Sequence, residues 1–100
     1  MIERFPVLAG AEPWSSDGHG EHARTGVVVV HGFTGSPVTM RPYGEVLARA
    51  GFAVEVIRLP GHGTSYKDMI HTGYSDYRAA VLGAVESLRK RVDRVALAGL

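Results

Sequence analysis

The sequence predicts an α/β domain in which parallel strands alternate with crossover helices. Residues 27–30 are four consecutive valines, the continuous β-branched run that a strand needs when helices cover both of its faces. Two stretches with apolar residues at three-and-four spacing follow, around 40–50 and 77–88, and each leads into another strand-like run. Strand, helix, strand, helix, strand is the repeated unit of a sheet whose parallel neighbours are joined by right-handed crossovers.

Taken in order, residues 5–9 are expected to form a short edge strand, since Pro6 is tolerated only at an edge. Residues 11–26 read as a loop, because Gly10, Pro13, Ser15, Ser16, Asp17, Gly18 and Gly20 punctuate that region with turn chemistry. The valine strand at 27–30 comes next. In the helix over 40–50, Tyr43, Val46, Leu47 and Ala50 share a face, Gly51 stops the helix, and Pro42 fits its first turn. Residues 53–59, with Val54, Val56 and Ile57, form the second strand. Tyr77, Val81, Ala84, Val85 and Leu88 mark the inner face of the second helix, with Ser75 a candidate cap. Residues 92–97 form the third strand. The expected organisation is one incomplete domain over 1–100, with leading strands and a loop in 1–26 and the core in 27–100.

Composition narrows the function classes. The chain has 100 residues, 45% hydrophobic and 21% charged, with a formal charge of +1, which is ordinary for a globular sequence and gives no footprint for nucleic acid. The only basic triplet, Arg89-Lys90-Arg91, falls where a helix should end, and cations there complement the exposed carbonyls of the last turn. With no cysteine there is no disulfide framework, thiolate metal site or cysteine nucleophile in these residues. The first ten residues carry Glu3, Arg4 and Pro6 and no long apolar stretch, so no membrane span is expected and the cytoplasm is the default location.

Ligand sites in sheets of this kind lie at the carboxyl ends of the strands. At the end of the valine strand the chain reads His31-Gly32-Phe33-Thr34-Gly35-Ser36-Pro37. Its glycines allow the backbone to approach a ligand closely, and free N–H groups near a helix start suit an anion, so an oxyanion hole and a phosphate cradle are both admissible there. A tight turn with no ligand is the plain alternative. The spacing is neither that of a dinucleotide fingerprint nor that of a phosphate loop with its Gly-Lys-Ser/Thr.

His31-Gly32-Phe33-Thr34-Gly35 resembles the His-Gly turn of α/β-hydrolases, particularly bacterial carboxylesterases and monoacylglycerol lipase-like enzymes. Leu59-Pro60-Gly61-His62-Gly63-Thr64-Ser65 resembles the Gly-His-Gly-x-Ser turn after the next strand of that family, and residues 94–100 resemble the strand entering its Gly-x-Ser-x-Gly elbow, with Gly99 and Leu100 at the first two positions. The resemblance covers residues 27–100 and more loosely 5–26. It implies the N-terminal part of an α/β-hydrolase fold and hydrolysis of carboxylic esters through an acyl-enzyme. Phe33 would give one oxyanion N–H and Gly32 would shape the turn, while Phe33, Thr34 and Tyr66 would line the substrate pocket. The nucleophile, second oxyanion donor, acid and base would follow Leu100, so the chain is expected to be a fragment, inactive and marginally stable alone. The family's lid and acyl pocket would come largely from later segments.

A small acyl ester is the implied partner, and no cofactor or metal is called for. His31 is expected to brace the oxyanion turn and His62 to be a structural hydrogen-bonding group. His19 and His22, near Asp17 and Glu21, could make a weak metal site, although a solvated turn explains them as well. Asp68 and Asp76 read as helix-start groups rather than as the catalytic acid. His71 receives no role. Two further readings stay open: a non-enzymatic binding module that keeps the glycine turn, and the same fold with dehalogenase, carbon–carbon or peptide chemistry.

Overall fold

The computed structural model describes residues 5–99. Its strands are β1 (Trp14–Ser16), β2 (Thr25–Val30), β3 (Ala53–Ile57) and β4 (Arg94–Gly99), and its helices are α1 (Pro37–Arg49), the short α2 (Tyr66–Met69) and α3 (Tyr74–Arg89). The sheet order is β1-β3-β2-β4. β2 lies at its centre, parallel to β3 with Val29 opposite Val56 and parallel to β4 with Val30 opposite Gly99. β1 adds an antiparallel edge, Trp14 opposite Val56.

The valine run works as a strand buried from both sides. Val27 and Val29 pack with Met40, Val54 and Val56 under α1, while Val28 packs with Ala53, Leu88 and Val92 under α3. Alternate side chains of a strand point to opposite faces, so each layer takes every second valine. Gly44 lets α1 press onto β3: a Cβ there would lie 2.5 Å from Val56 Cγ2. Arg24 ties the start of β2 to that of β4, with Nη2 2.8 Å from Asp93 Oδ1.

Several expectations are corrected. Residues 5–9 are not a strand; the leading strand is Trp14–Ser16, inside the segment read as loop. Trp14 packs against the α1-side core, and that burial outweighs the turn chemistry around it. α1 begins earlier than expected because Ser36 Oγ accepts the Val38 N–H and Pro37 takes the first turn, which leaves Pro42 inside the helix. Its sheet-facing line runs through Met40, Gly44, Leu47 and Ala48, whereas Tyr43 and Val46 face out. Gly51, at φ +105°, does terminate this helix.

α3 presents Ala84, Val85 and Leu88 inward as expected, but its N-cap is Gly73 rather than Ser75, with the Gly73 N–H donating to Asp76 Oδ2 at 2.9 Å. β3 stops at Ile57, and the last strand runs two residues later than expected. No helix among the described residues is long and apolar enough to cross a membrane.

Candidate active site

Three segments meet at the carboxyl end of the sheet: the turn after β2, the turn after β3 and the end of β4. In the first, the Gly35 N–H donates to Gly32 O at 2.9 Å, closing a four-residue turn with Phe33 and Thr34 at its centre. Thr34 has φ +68°, the only positive φ at a non-glycine residue among the described positions. The third position of such a turn normally goes to Gly or Asn, so a β-branched residue is held there at a cost.

His31, 2% exposed, locks this turn from beneath. Its Nδ1 donates to Gly32 O at 3.0 Å, and its Nε2 accepts the Leu59 N–H at 3.0 Å. A carbonyl can only accept and an amide N–H can only donate, so these partners fix a neutral ring protonated on Nδ1. Burial is the main cause that holds the imidazole below its usual pKa, with the Gly32 hydrogen bond opposing it and His62 and Arg58 adding to it.

Gly32 C=O and Phe33 N–H are opposite ends of one trans peptide. Two donors on the oxygen, His31 Nδ1 and Gly35 N, therefore decide where the Phe33 N–H points. No acceptor among the described residues takes the Phe33 or Thr34 N–H. The result is a backbone donor in a clamped peptide with no acceptor among the described residues, a group available to a developing negative charge.

The second turn is held by His62, fully buried, whose Nδ1 donates to Pro60 O at 3.0 Å. Its ring lies 5.2 Å from His31 and edge-on to Phe33 and Tyr77, at 5.5 and 5.3 Å. The expected hydrogen-bonding role holds for Nδ1; Nε2 has no partner among the described residues. Gly61, at φ +74°, brings this turn against α2, where a Cβ would lie 2.9 Å from Met69 Cα.

Beside the Gly32–Gly35 turn lies a cleft of about 550 Å³ walled by Leu8, Ala11, Thr34, Val38, Tyr66 and Met69 among others. Thr34 and Tyr66 thus share one cavity, while the Phe33 ring stands outside it, 69% exposed. Nothing local in the sequence marked Leu8, Val38 or Met69, because they come from a loop, the outer side of α1 and the last residue of the short α2. Gly99 sits level with Val30, one residue before His31. Leu100, expected beside it at the elbow, lies outside the described residues.

The other candidates have partners elsewhere. His19 Nε2 donates to Ala48 O at 3.2 Å, His22 stacks on Phe52 at 4.7 Å, and Asp17 lies 3.2 Å from Arg91. No group of three or more potential metal ligands occurs among the described residues. Asp68 accepts the Thr64 hydroxyl at 2.7 Å, Asp76 caps α3, and His71 is exposed after α2.

No family model matches the chain. It is 44% identical over its whole length to a thermostable monoacylglycerol lipase of Bacillus sp. (strain H-257), and 31% identical over 75 residues to a carboxylesterase of Bacillus subtilis (strain 168). A solved structure from the work on LipS and LipT, two metagenome-derived lipolytic enzymes, superposes with a TM-score of 0.88 and 45% identity over 95% of this chain. The chain spans 38% and 30% of the two curated relatives and 37% of the solved one. With the fold, both turns and these likenesses in agreement, the chain belongs to the α/β-hydrolases, where the relatives it matches are named as lipases and an esterase.

Proposed function

We propose that this chain supplies the first oxyanion donor, the Phe33 N–H, of a serine hydrolase acting on carboxylic esters. The observation that carries this reading is the clamped peptide 32–33, whose oxygen is held by His31 and Gly35 and whose N–H is free at the carboxyl end of the sheet. The lipase and esterase names of the relatives supply the bond attacked.

In the reaction, a serine oxygen adds to the ester carbonyl while a base takes its proton. The carbonyl electrons move onto oxygen, where the Phe33 N–H meets them. Collapse expels the alcohol with that proton and leaves an acyl-enzyme, which water hydrolyses by the same two steps. The serine would follow Leu100, and the remaining machinery would come from later residues.

The turn geometry offers a clean test. Phe33 is the second residue of the Gly32–Gly35 turn, a position that suits proline, yet proline has no N–H. The coding DNA is read past Leu100, the extended product is expressed, and it is assayed with a p-nitrophenyl ester and a fluorophosphonate probe. Phe33→Pro should lower kcat by about 10²–10³, the loss of one oxyanion donor, whereas Phe33→Ala keeps the donor and most of the rate. Equal rates for the two variants would refute the assignment.

A further inference from the structure

We infer that the peptide joining Phe33 to Thr34 is a two-state element, and that its flip brings the Thr34 N–H beside the Phe33 N–H as a further donor to the oxyanion. The inference rests on the ester-hydrolase reading above. Its first support is the type of the turn. The Gly35 N–H donates to Gly32 O, Thr34 has φ +68° and Phe33 has a negative φ, which makes residues 32–35 a type II turn. Type I differs from type II by a half-rotation of the central peptide, the one that carries Phe33 C=O and Thr34 N–H.

The second support is that the neighbours of this peptide are held and the peptide itself is not. Gly32 O accepts from His31 Nδ1 and the Gly35 N–H, and Ser36 O accepts from both the N–H and the hydroxyl of Thr39. No hydrogen bond among the described residues uses Phe33 O or the Thr34 N–H. The central peptide can therefore rotate between two clamped ends without breaking one.

The third support is the direction of the strain. The left-handed region disfavours a β-branched residue about 5- to 30-fold, and type I, with φ near about −90° at this position, removes that bias. In type II the central N–H is turned away from the N–H before it. In type I the residue between them is near-helical, and the two N–H groups lie side by side as in the first turn of a helix. A negative charge at the Phe33 N–H meets a second donor only in type I, so the charge that develops in the reaction selects the relaxed turn. The strain on Thr34 is present at rest and released where the charge appears, which favours the transition state over the ground state.

The test compares NMR spectra of the extended product before and after reaction with a fluorophosphonate, whose adduct carries a phosphoryl oxygen where the oxyanion would stand. A type II turn gives a strong cross-peak between Phe33 Hα and the Thr34 N–H, and type I gives a strong one between the Phe33 and Thr34 N–H groups. The first should dominate at rest and the second in the adduct. Thr34→Gly fits the left-handed state without strain, so it should raise stability yet lower kcat about 5- to 30-fold with little change in KM. Thr34→Val keeps the branched Cβ and should exceed Thr34→Gly in kcat at least fivefold. A purely structural Thr34 would gain stability in the glycine variant and keep its kcat.

An adduct that keeps the type II cross-peak, or a Thr34→Gly enzyme as fast as wild type, would overturn the inference. Failure to label refutes the hydrolase reading instead, because the label needs the nucleophile and not the flip. The turn is then scored on the resting protein, where the cross-peak between the two N–H groups should be weak in wild type and lost in Thr34→Gly. Its absence from wild type, or equal strength in both, overturns the two-state turn.

Discussion

Replacing His31 by phenylalanine keeps a ring of similar size in a buried position and removes both hydrogen bonds that the imidazole makes, to Gly32 O and from the Leu59 N–H. Gly32 O keeps the Gly35 donor, so that loss is an ordinary hydrogen bond of about 0.5–1.5 kcal/mol. The buried Leu59 N–H is left without its partner, which costs about 1–3 kcal/mol. The sum, about 1.5–4.5 kcal/mol, is a large part of the roughly 5–15 kcal/mol a domain of this size has, and it should lower Tm by at least about 6 °C.

Urea unfolding followed by circular dichroism, repeated across pH, measures the difference between wild type and variant. The pH dependence has a definite sign. The native imidazole is held below its usual pKa, so between the two pKa values the unfolded chain binds the extra proton and stability rises with pH. The His31 contribution is complete above the ordinary histidine value of about 6.5 and is lost as pH falls toward the lowered native value, by up to about 1.4 kcal/mol per pH unit. The gap between wild type and His31→Phe should therefore be constant at pH 7–8 and narrow below about 6.5. A gap under about 0.5 kcal/mol, or one that widens in acid, would refute the tautomer and the clamp.

Three further substitutions test the packing around the site. Thr34→Gly should raise stability by about 0.5 kcal/mol, since relief of a left-handed β-branched residue exceeds the added freedom of the unfolded chain, and a lower urea midpoint would contradict the strain. Gly44→Ala should destabilise by about 1–2 kcal/mol, because the new methyl meets the buried Val56 at 2.5 Å, and a stability gain would show that α1 can lift off β3. Gly83→Ala, on the open side of α3 with nothing within 4 Å, should stabilise by about 0.8–1 kcal/mol through helix propensity alone, and no change in Tm would count against a formed helix there.

The sequence by itself determined the layered α/β plan. The valine run could satisfy a strand only if both faces were covered, and Ala84, Val85 and Leu88 could face inward on only one side of a helix. It also determined where to look, since the two glycine turns fall at strand ends and carry the family's motifs. The inner face of α1 was not legible. A glycine at 44 carries no apolar signal, yet it lets the helix approach β3 and moves the buried line away from Tyr43 and Val46. Trp14 could not be seen as a strand residue among turn formers, because its burial depends on a partner 42 positions away, Val56.

The site divides in the same manner. His31 and Phe33 stood in a local motif, and bracing by His31 was readable from its position. Which nitrogen carries the proton was not, because that is set by the Leu59 amide, brought 28 residues across the fold by the parallel pairing of β2 with β3. The cleft walled by Leu8, Val38, Tyr66 and Met69 likewise belongs to tertiary structure alone. Only Tyr66 and Met69, three apart on α2, share a helical spacing, and the docking of loop 8–11 onto Gly63 and the turn at Gly61 places all four around one cavity.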